Sequence, residues 1–430
     1  MRSIGLDVHQ SFCQVAICEG GETRSAGRVE TSREALGLFA ASLASSDRVA
    51  LEATGPAFEV ARILAPHVAE VVVVNAAEVR AISHAKVKSD QFDARTLARL
   101  LEAGMLTSVW VPSAGIAALR RRVARRAALV RQRTRAKNEV HAALARCLLG
   151  RAPFSDLFGV AGRSWLAERQ LPAEEAETVS GCLRQIDFCD AEVEAIDRKL
   201  AEWATGSAEA KRLMSIPGVG VGVAVTLMAA IGEVSRFKSP RELVGYLGLD
   251  PTVRQSGDLP ARHGRISKRG NAQARSALVE AAWVAIRSPG PLHAFGERIR
   301  ARRGSQVAAV AVARKIATIA WHLLTKGEDY AFGRPSLSRA KLRAAELKAG
   351  APRLPNRHSG RRISTTAEER QAELEFAERG EKAYRRLTAG WAASSPPKKE
   401  VGAGATSGRA SSRPSTRQAA RRAQAPGPAL

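Results

Sequence analysis

The chain has 430 residues, enough for two or three domains and a sizeable core, and a net charge of +25 from 67 Lys and Arg against 42 Asp and Glu. A basic excess of that size points to a phosphate-backbone partner and says little about fold. Five scattered cysteines without CxxC spacing, eight histidines without HExxH, and an unremarkable start, MRSIGLDVHQ, exclude a disulfide framework and a thiolate zinc site; with no run of about 18 apolar residues, a soluble, cytoplasmic protein without a membrane partner is expected.

The first hundred residues alternate strand and helix signals. Ile4 to Val8 and Phe12 to Cys18 read as paired strands, and Thr23 to Glu30 adds a third. Ser32 is an N-cap for a helix whose apolar stripe is Leu36, Phe39 and Leu43. Val49 to Ala53 reads as a strand, Ala57 to Leu64 as a helix, Val71 to Val74 as a short buried strand, and Ser89 to about Ala103 as a helix. Antiparallel strands followed by αβαβ suit a ribonuclease-H-like fold over residues 1–112, although other α/β folds share the pattern.

Residues 113–207 change character. Ile116, Leu119, Val123, Ala127 and Val130, then Val140, Leu144 and Leu148, recur every three or four residues, with Thr134 and Lys137 as a polar interruption. One long amphipathic helix from Ser113 to about Leu149 follows. Arg120, Arg121, Arg122, Arg125, Arg126, Arg131, Arg133 and Arg135 crowd its remaining surface, and such a density of Arg over Glu reads as a nucleic-acid contact, against the plainer alternative of a solvated charged helix. A second helix, Glu174 to Trp203, is expected to pair with it as an antiparallel hairpin or to join other protomers in a coiled coil. Residues 208–331 read as a mainly helical unit, and residues 332–430 as a basic, largely disordered tail in which Glu368 to Leu387 form a helix.

Four carboxylates stand out. Asp7 interrupts an apolar strand, where an unpaired charge is costly, and Glu52 does the same at the end of Val49-Ala50-Leu51. Asp90 and Asp93 project from one helix face. Two strand ends and a helix can converge such acids on a pair of Mg²⁺ or Mn²⁺ ions, the arrangement used for phosphoryl transfer. Singly, each acid has a bland reading: a turn residue, the start of a helix, or a first-turn acid favoured by the helix dipole.

Further on, Ile216-Pro217-Gly218-Val219-Gly220 before an apolar helix looks like the turn of a helix-hairpin-helix, where Gly218 and Gly220 would let backbone amides approach phosphate; a plain capping turn fits as well. The polar, glycine-rich stretch from Pro251 to Asn271 places Arg254, Arg265 and Lys268 around Ser256. Those cations could neutralise a phosphate under attack, yet composition alone makes Ser256 a loop hydroxyl capping its neighbour.

GLDVHQ, LEATGP, KSDQFDARTLARLL, IPGVGVGVAVTLMAAIG, RFKSPRELVGYLGLDP, QSG and GRISKRGNAQARSAL, in that order, resemble the DEDD transposases of insertion-sequence family one hundred and ten. The likeness covers roughly residues 1–330; Gln10 stands where the family usually carries Lys, and the tail after Phe332 departs from it. The resemblance implies a RuvC-like domain, a coiled-coil connection and a transposase domain. It makes Asp7, Glu52, Asp90 and Asp93 the metal-binding tetrad and Ser256 the nucleophile that joins donor or target DNA. It further implies a guide RNA from the element's flanks and a tetramer that brings acids and serine together from different protomers. Without covalent serine chemistry, the same acids would serve a RuvC-like resolvase.

Overall fold

The computed structural model describes residues 1–83, 89–150, 152–257, 260–352 and 366–393. Strands β1 (Ser3–Val8), β2 (Phe12–Glu19) and β3 (Glu22–Glu30) precede helix α1 (Arg33–Ala41). Then come β4 (Arg48–Glu52), α2 (Ala57–Leu64), β5 (Glu70–Val74), α3 (Ala76–Ser83) and α4 (Asp90–Glu102). The strands form one sheet ordered β3-β2-β1-β4-β5. β1 to β3 are antiparallel, whereas β4 runs parallel to β1 and β5 parallel to β4. This mixed sheet is consistent with a ribonuclease-H-like N-terminal domain.

Strand alternation decides which residues face what. Ile4, Leu6 and Val8 of β1 join Val49 and Leu51 in a core with Leu36, Ala40, Val60 and Leu64 of α1 and α2. The opposite face carries Ala50, Val72 and Val74 and packs on Leu97 and Leu101 of α4. Gly5 lies on that second face: a Cβ there would stand 2.0 Å from the Ala94 carbonyl oxygen and 2.7 Å from the Ala98 nitrogen. The missing side chain is what lets α4 lie directly on β1.

Helix α5 (Ala114–Arg146) is unbroken despite the polar residues at its middle. The Thr134 hydroxyl bonds back to the Val130 carbonyl at 2.8 Å, and the Lys137 ammonium lies 4.6 Å from the Phe158 ring centre. After the short α6 (Val160–Ala167), α7 (Ala173–Gly206) returns alongside α5. Arg126–Asp197, Arg133–Asp190 and Arg146–Glu175 pair in reverse order along the two helices. Of the two arrangements expected from sequence, the chain therefore forms the intramolecular antiparallel hairpin, sealed by Val140, Leu144, Val179, Cys182 and Ile186.

The largest core follows, built from α8 (Ala208–Met214), α9 (Val221–Ile231), α10 (Pro240–Tyr246), α11 (Ala272–Arg287), α12 (Pro291–Arg303) and α13 (Ser305–Lys326). Between α10 and α11 the polar stretch read as a loop contains a hairpin, β6 (Pro251–Arg254) and β7 (Arg262–Ile266). By length and composition α13 could cross a membrane; here Val312, Ile316, Ala317 and Ala320 are fully buried, so the Ala- and Val-rich run from Ala308 to Leu324 is the core helix its sequence suggests.

The tail read as largely disordered begins with structure. Helix α14 (Pro335–Lys348) packs on α7. Its half-buried Lys341 ammonium donates to the Met214 and Ile216 carbonyls at 2.8 and 3.0 Å, and Lys348 bonds Asp197 at 2.7 Å. Helix α15 is Ala367–Ala393; Glu381 accepts from the Gly290 amide at the start of α12. The last 35 residues, expected to be disordered, lie outside the described residues. Residues Met1–Lys382 form one compact unit, and Ala383–Leu430 fall in a second.

Candidate active site

β1 and β4 end side by side, in the register Leu6↔Leu51. Asp7 and Glu52 are the next residue on each strand. Both lie on the α4 face, because they follow Gly5 and Ala50 by two positions. Glu52 also pairs in register with Val74, which faces α4. The Thr54 hydroxyl, just past β4, bonds the Val8 carbonyl at 3.4 Å and ties the two strand ends together.

Helix α4 delivers the other two acids. Ser89 caps it, accepting from the Phe92 amide at 3.3 Å, so Asp90 and Asp93 fall in its first turn, where the helix dipole favours negative charge. Asp90 reaches the end of β1: His9 Nε2 stands 3.0 Å from Asp7 Oδ2 and 3.5 Å from Asp90 Oδ1. One ligand atom each from Asp7, His9 and Asp90 lies within 4.8 Å of the others. Burial pushes the Asp7 carboxyl above its ordinary value; His9 opposes that shift, while Asp93 and Asp90 add to it. A partly buried carboxylate facing further carboxylates is a site whose repulsion a divalent cation would relieve. The donor set, hard oxygens with one imidazole nitrogen, fits such an ion. His9 was not singled out in the sequence; its place two residues past Asp7, on the same face, was the available signal.

Ser256 is exposed and lies in the loop joining β6 to β7. At the base of this hairpin Ser267 Oγ donates to Asp250 Oδ1 at 2.6 Å, and Thr252 Oγ1 donates to the Arg265 carbonyl at 3.0 Å. Arg254 and Arg265 are exposed on opposite strands. Lys268 is also exposed, with a positive φ of 55°.

The glycines of the Pro-Gly turn separate into two uses. Gly218 has φ +83°, and a Cβ would stand 2.1 Å from the Ala281 carbonyl oxygen, so its smallness seats the turn on α11. Gly220 caps α9 without a side chain in the way.

The arginines of α5 separate likewise. Arg120 is taken up by the protein itself, which departs from its reading as a nucleic-acid contact. It donates to the Ala229 and Ala230 carbonyls at 2.7 and 3.0 Å and lies over Trp110, closing the C-terminus of α9 with a cation as helix ends favour. Arg126 is paired with Asp197. Arg121, Arg122, Arg125, Arg131 and Arg135 are exposed, and only Arg125 approaches an acid among the described residues, Glu192 at 3.9 Å.

Two families match the chain. The DEDD transposase family of the IS110 group matches residues 4–148, and the family described as "Transposase IS116/IS110/IS902 family" matches residues 210–297. The first span holds all four acids and the second holds Ser256. Among individual proteins, "Putative transposase y4qE" of Sinorhizobium fredii is 31% identical over 291 residues, 65% of this chain and 71% of that protein. "Transposase for insertion sequence element IS1328" of Yersinia enterocolitica is 31% identical over 210 residues, covering 47% of this chain and 61% of its own. "Transposase for insertion sequence element IS1111A" of Coxiella burnetii is 34% identical over 141 residues, 32% of this chain and 38% of its own length.

Proposed function

Because this chain belongs to the IS110 family of DEDD transposases, enzymes acting on DNA with a divalent metal, we propose that it cuts and rejoins DNA with Asp7, Glu52, Asp90 and Asp93 as metal ligands and Ser256 as nucleophile. The observation that carries the reading is the meeting of Asp7 and Asp90, with Asp93 close enough to act on Asp7, at one end of the sheet. Mg²⁺ or Mn²⁺ bound there would stabilise charge on the phosphoryl oxygens and lower the proton affinity of a coordinated hydroxyl.

The chain's own groups supply the rest. The Ser256 oxygen attacks a DNA phosphorus as its proton passes to solvent, and the bond to the departing DNA oxygen breaks, that oxygen taking up a proton from solvent to leave as a hydroxyl. The phosphodiester is thereby retained as a serine–DNA link that a second strand's hydroxyl can resolve. Arg254, Arg265 and Lys268 offset phosphate charge around the serine. Gly220 leaves the amides at the start of α9 open to a backbone phosphate, with Gly218 setting the turn. Arg121, Arg122, Arg125, Arg131 and Arg135 track phosphates without reading bases, with Arg120 and Arg126 holding the helix in place. In this reading sequence choice rests on a structured guide RNA, and a cytoplasmic tetramer joins the acids of one protomer to the serine of another. The working parts are residues 1–112 for the acids, 113–207 for the basic hairpin and 208–331 for the serine, with 332–430 as an added extension.

The test is covalent trapping. Protein, RNA transcribed from the element's flanks, and labelled donor and target DNA are mixed with Mg²⁺ and resolved on a denaturing gel. A denaturant-stable protein–DNA band that Ser256→Ala and Asp7→Ala both abolish is expected. Equal cutting by wild type and Ser256→Ala without such a band would replace this mechanism by metal-dependent hydrolysis.

A further inference from the structure

We propose that His9 is itself a ligand in the carboxylate site and biases that site toward Mn²⁺ and later first-row ions over Mg²⁺. The proposal rests on the reading that Asp7 and Asp90 hold a divalent ion.

Three observations carry it. The imidazole is aimed and held: the His9 amide donates to the Phe12 carbonyl at 2.9 Å, its carbonyl accepts from Thr31 Oγ1 at 3.0 Å, and its ring rests 4.9 Å from the Phe12 ring centre. Phe12 is covered in turn by the Arg28 guanidinium at 4.2 Å. Second, Nε2 lies between carboxylates from two different elements, 3.0 Å from Asp7 Oδ2 on β1 and 3.5 Å from Asp90 Oδ1 on α4. Neighbouring ligands on one ion, each bonded at about 2.1 Å, stand about 3 Å apart. The 3.0 Å separation, a hydrogen bond without an ion, matches that of adjacent ligands on one, and 3.5 Å lies within a small rotation of it. Third, the side chain is 40% exposed, so an ion can reach it from solvent.

Chemistry then sets the consequence. Carboxylates alone make a hard-oxygen site suited to Mg²⁺. One imidazole nitrogen adds a borderline donor whose affinity rises along the first-row series from Mn²⁺ through Co²⁺ to Ni²⁺. A residue that only oriented Asp7 through a hydrogen bond would not change that preference. His9→Gln separates the roles, because the amide can still donate to Asp7 but brings no imidazole nitrogen.

The experiment uses the full-length protein with Mn²⁺ alone. Bound Mn²⁺ is counted by electron paramagnetic resonance, nitrogen coupling is read by electron spin-echo modulation, and Mg²⁺ affinity is obtained by competition. We expect an imidazole ¹⁴N modulation in wild type that His9→Gln removes. We also expect His9→Gln to weaken Mn²⁺ binding on the order of tenfold while changing Mg²⁺ affinity far less. Circular dichroism confirms folding of each variant. If Asp7→Asn removes Mn²⁺ binding but wild type shows no nitrogen modulation, or if His9→Gln weakens both ions equally, His9 is not a selecting ligand. If Mn²⁺ binding does not depend on Asp7 at all, the metal-site reading fails first and the ligand proposal falls with it.

Discussion

Gly5→Ala should separate the two halves of the acid site. An added Cβ would lie 2.0 Å from the Ala94 carbonyl oxygen, 2.7 Å from the Ala98 nitrogen and 3.0 Å from the Leu97 Cβ. Ordinary non-bonded contact begins at about 3.5 Å, so α4 must move off β1 by about 1.5 Å. Two of those contacts are backbone atoms, which leaves no side chain to swing aside, so the cost should reach the upper end of overpacking, about 3 kcal/mol. The same motion carries Asp90 and Asp93 away from Asp7, and a misplacement of about 1 Å can cost on the order of a hundredfold in rate. Thermal unfolding, Mn²⁺ affinity and DNA cleavage would be compared with Gly37→Ala, whose Cβ meets nothing within 4 Å. A Gly5→Ala protein that binds Mn²⁺, cleaves DNA and melts like wild type would refute the claim that the close approach of α4 builds the site.

Gly218→Ala combines a positive φ of 83° with a Cβ 2.1 Å from the Ala281 oxygen, and should lose about 3 kcal/mol in denaturant unfolding; Gly222→Ala, in open space on α9, should gain about 1 kcal/mol. At Asp197 burial would raise the carboxyl, but hydrogen bonds from Arg126 and Lys348 bring it below its ordinary value. Its contribution is therefore present above the unfolded carboxyl range and lost as pH falls through the lower folded value. Asp197→Asn should cost about 2 kcal/mol at neutral pH, and the gap should close in acid titrations. Burial lowers Lys341 from 10.5 to about 8, so the folded state binds fewer protons between those values. Wild-type stability relative to Lys341→Met should rise by about 3 kcal/mol from pH 8 to 10.5; a flat difference would show the ammonium is not buried as described.

Much of the sheet was legible because its inner strands read as short apolar runs, as strands buried on both faces do, and because two of the helices beside it carry serine caps. Ser32 and Ser89 both cap as their sequence context suggests, and Ala57–Leu64 is the helix the apolar spacing marks. What escaped was stabilised by distant partners. The β6–β7 hairpin hid in a polar, glycine-rich stretch with little alternation, and its base is closed by Asp250 and Ser267, seventeen residues apart. Helix α14 lies in a basic stretch with few large apolar residues, and its attachment depends on Lys341 and Lys348 reaching Met214, Ile216 and Asp197. A count of basic residues cannot distinguish such anchoring lysines from solvated ones. The same blindness put Arg120 with the exposed arginines, since nothing in its neighbours announces the α9 carbonyls it bonds.

The two parts proposed to react sit on platforms of opposite character. Asp7 and Glu52 lie at the ends of strands covered by helices on both faces, and Gly5 lets α4 bring Asp90 within reach of Asp7, so in the proposed metal site the carboxylates are positioned before any ion or DNA arrives. Ser256 instead rides on an exposed two-stranded hairpin, an element that is marginal without further support. A metal site gains from fixed ligands, because loose carboxylates would have to be ordered at each binding event. A nucleophile that must meet DNA held elsewhere gains from being ordered only when its partners are present, which limits stray attack on other phosphates. Carboxylates anomalous within apolar strands therefore announce themselves in sequence, whereas a serine on an exposed hairpin leaves almost no local trace beyond the cations beside it.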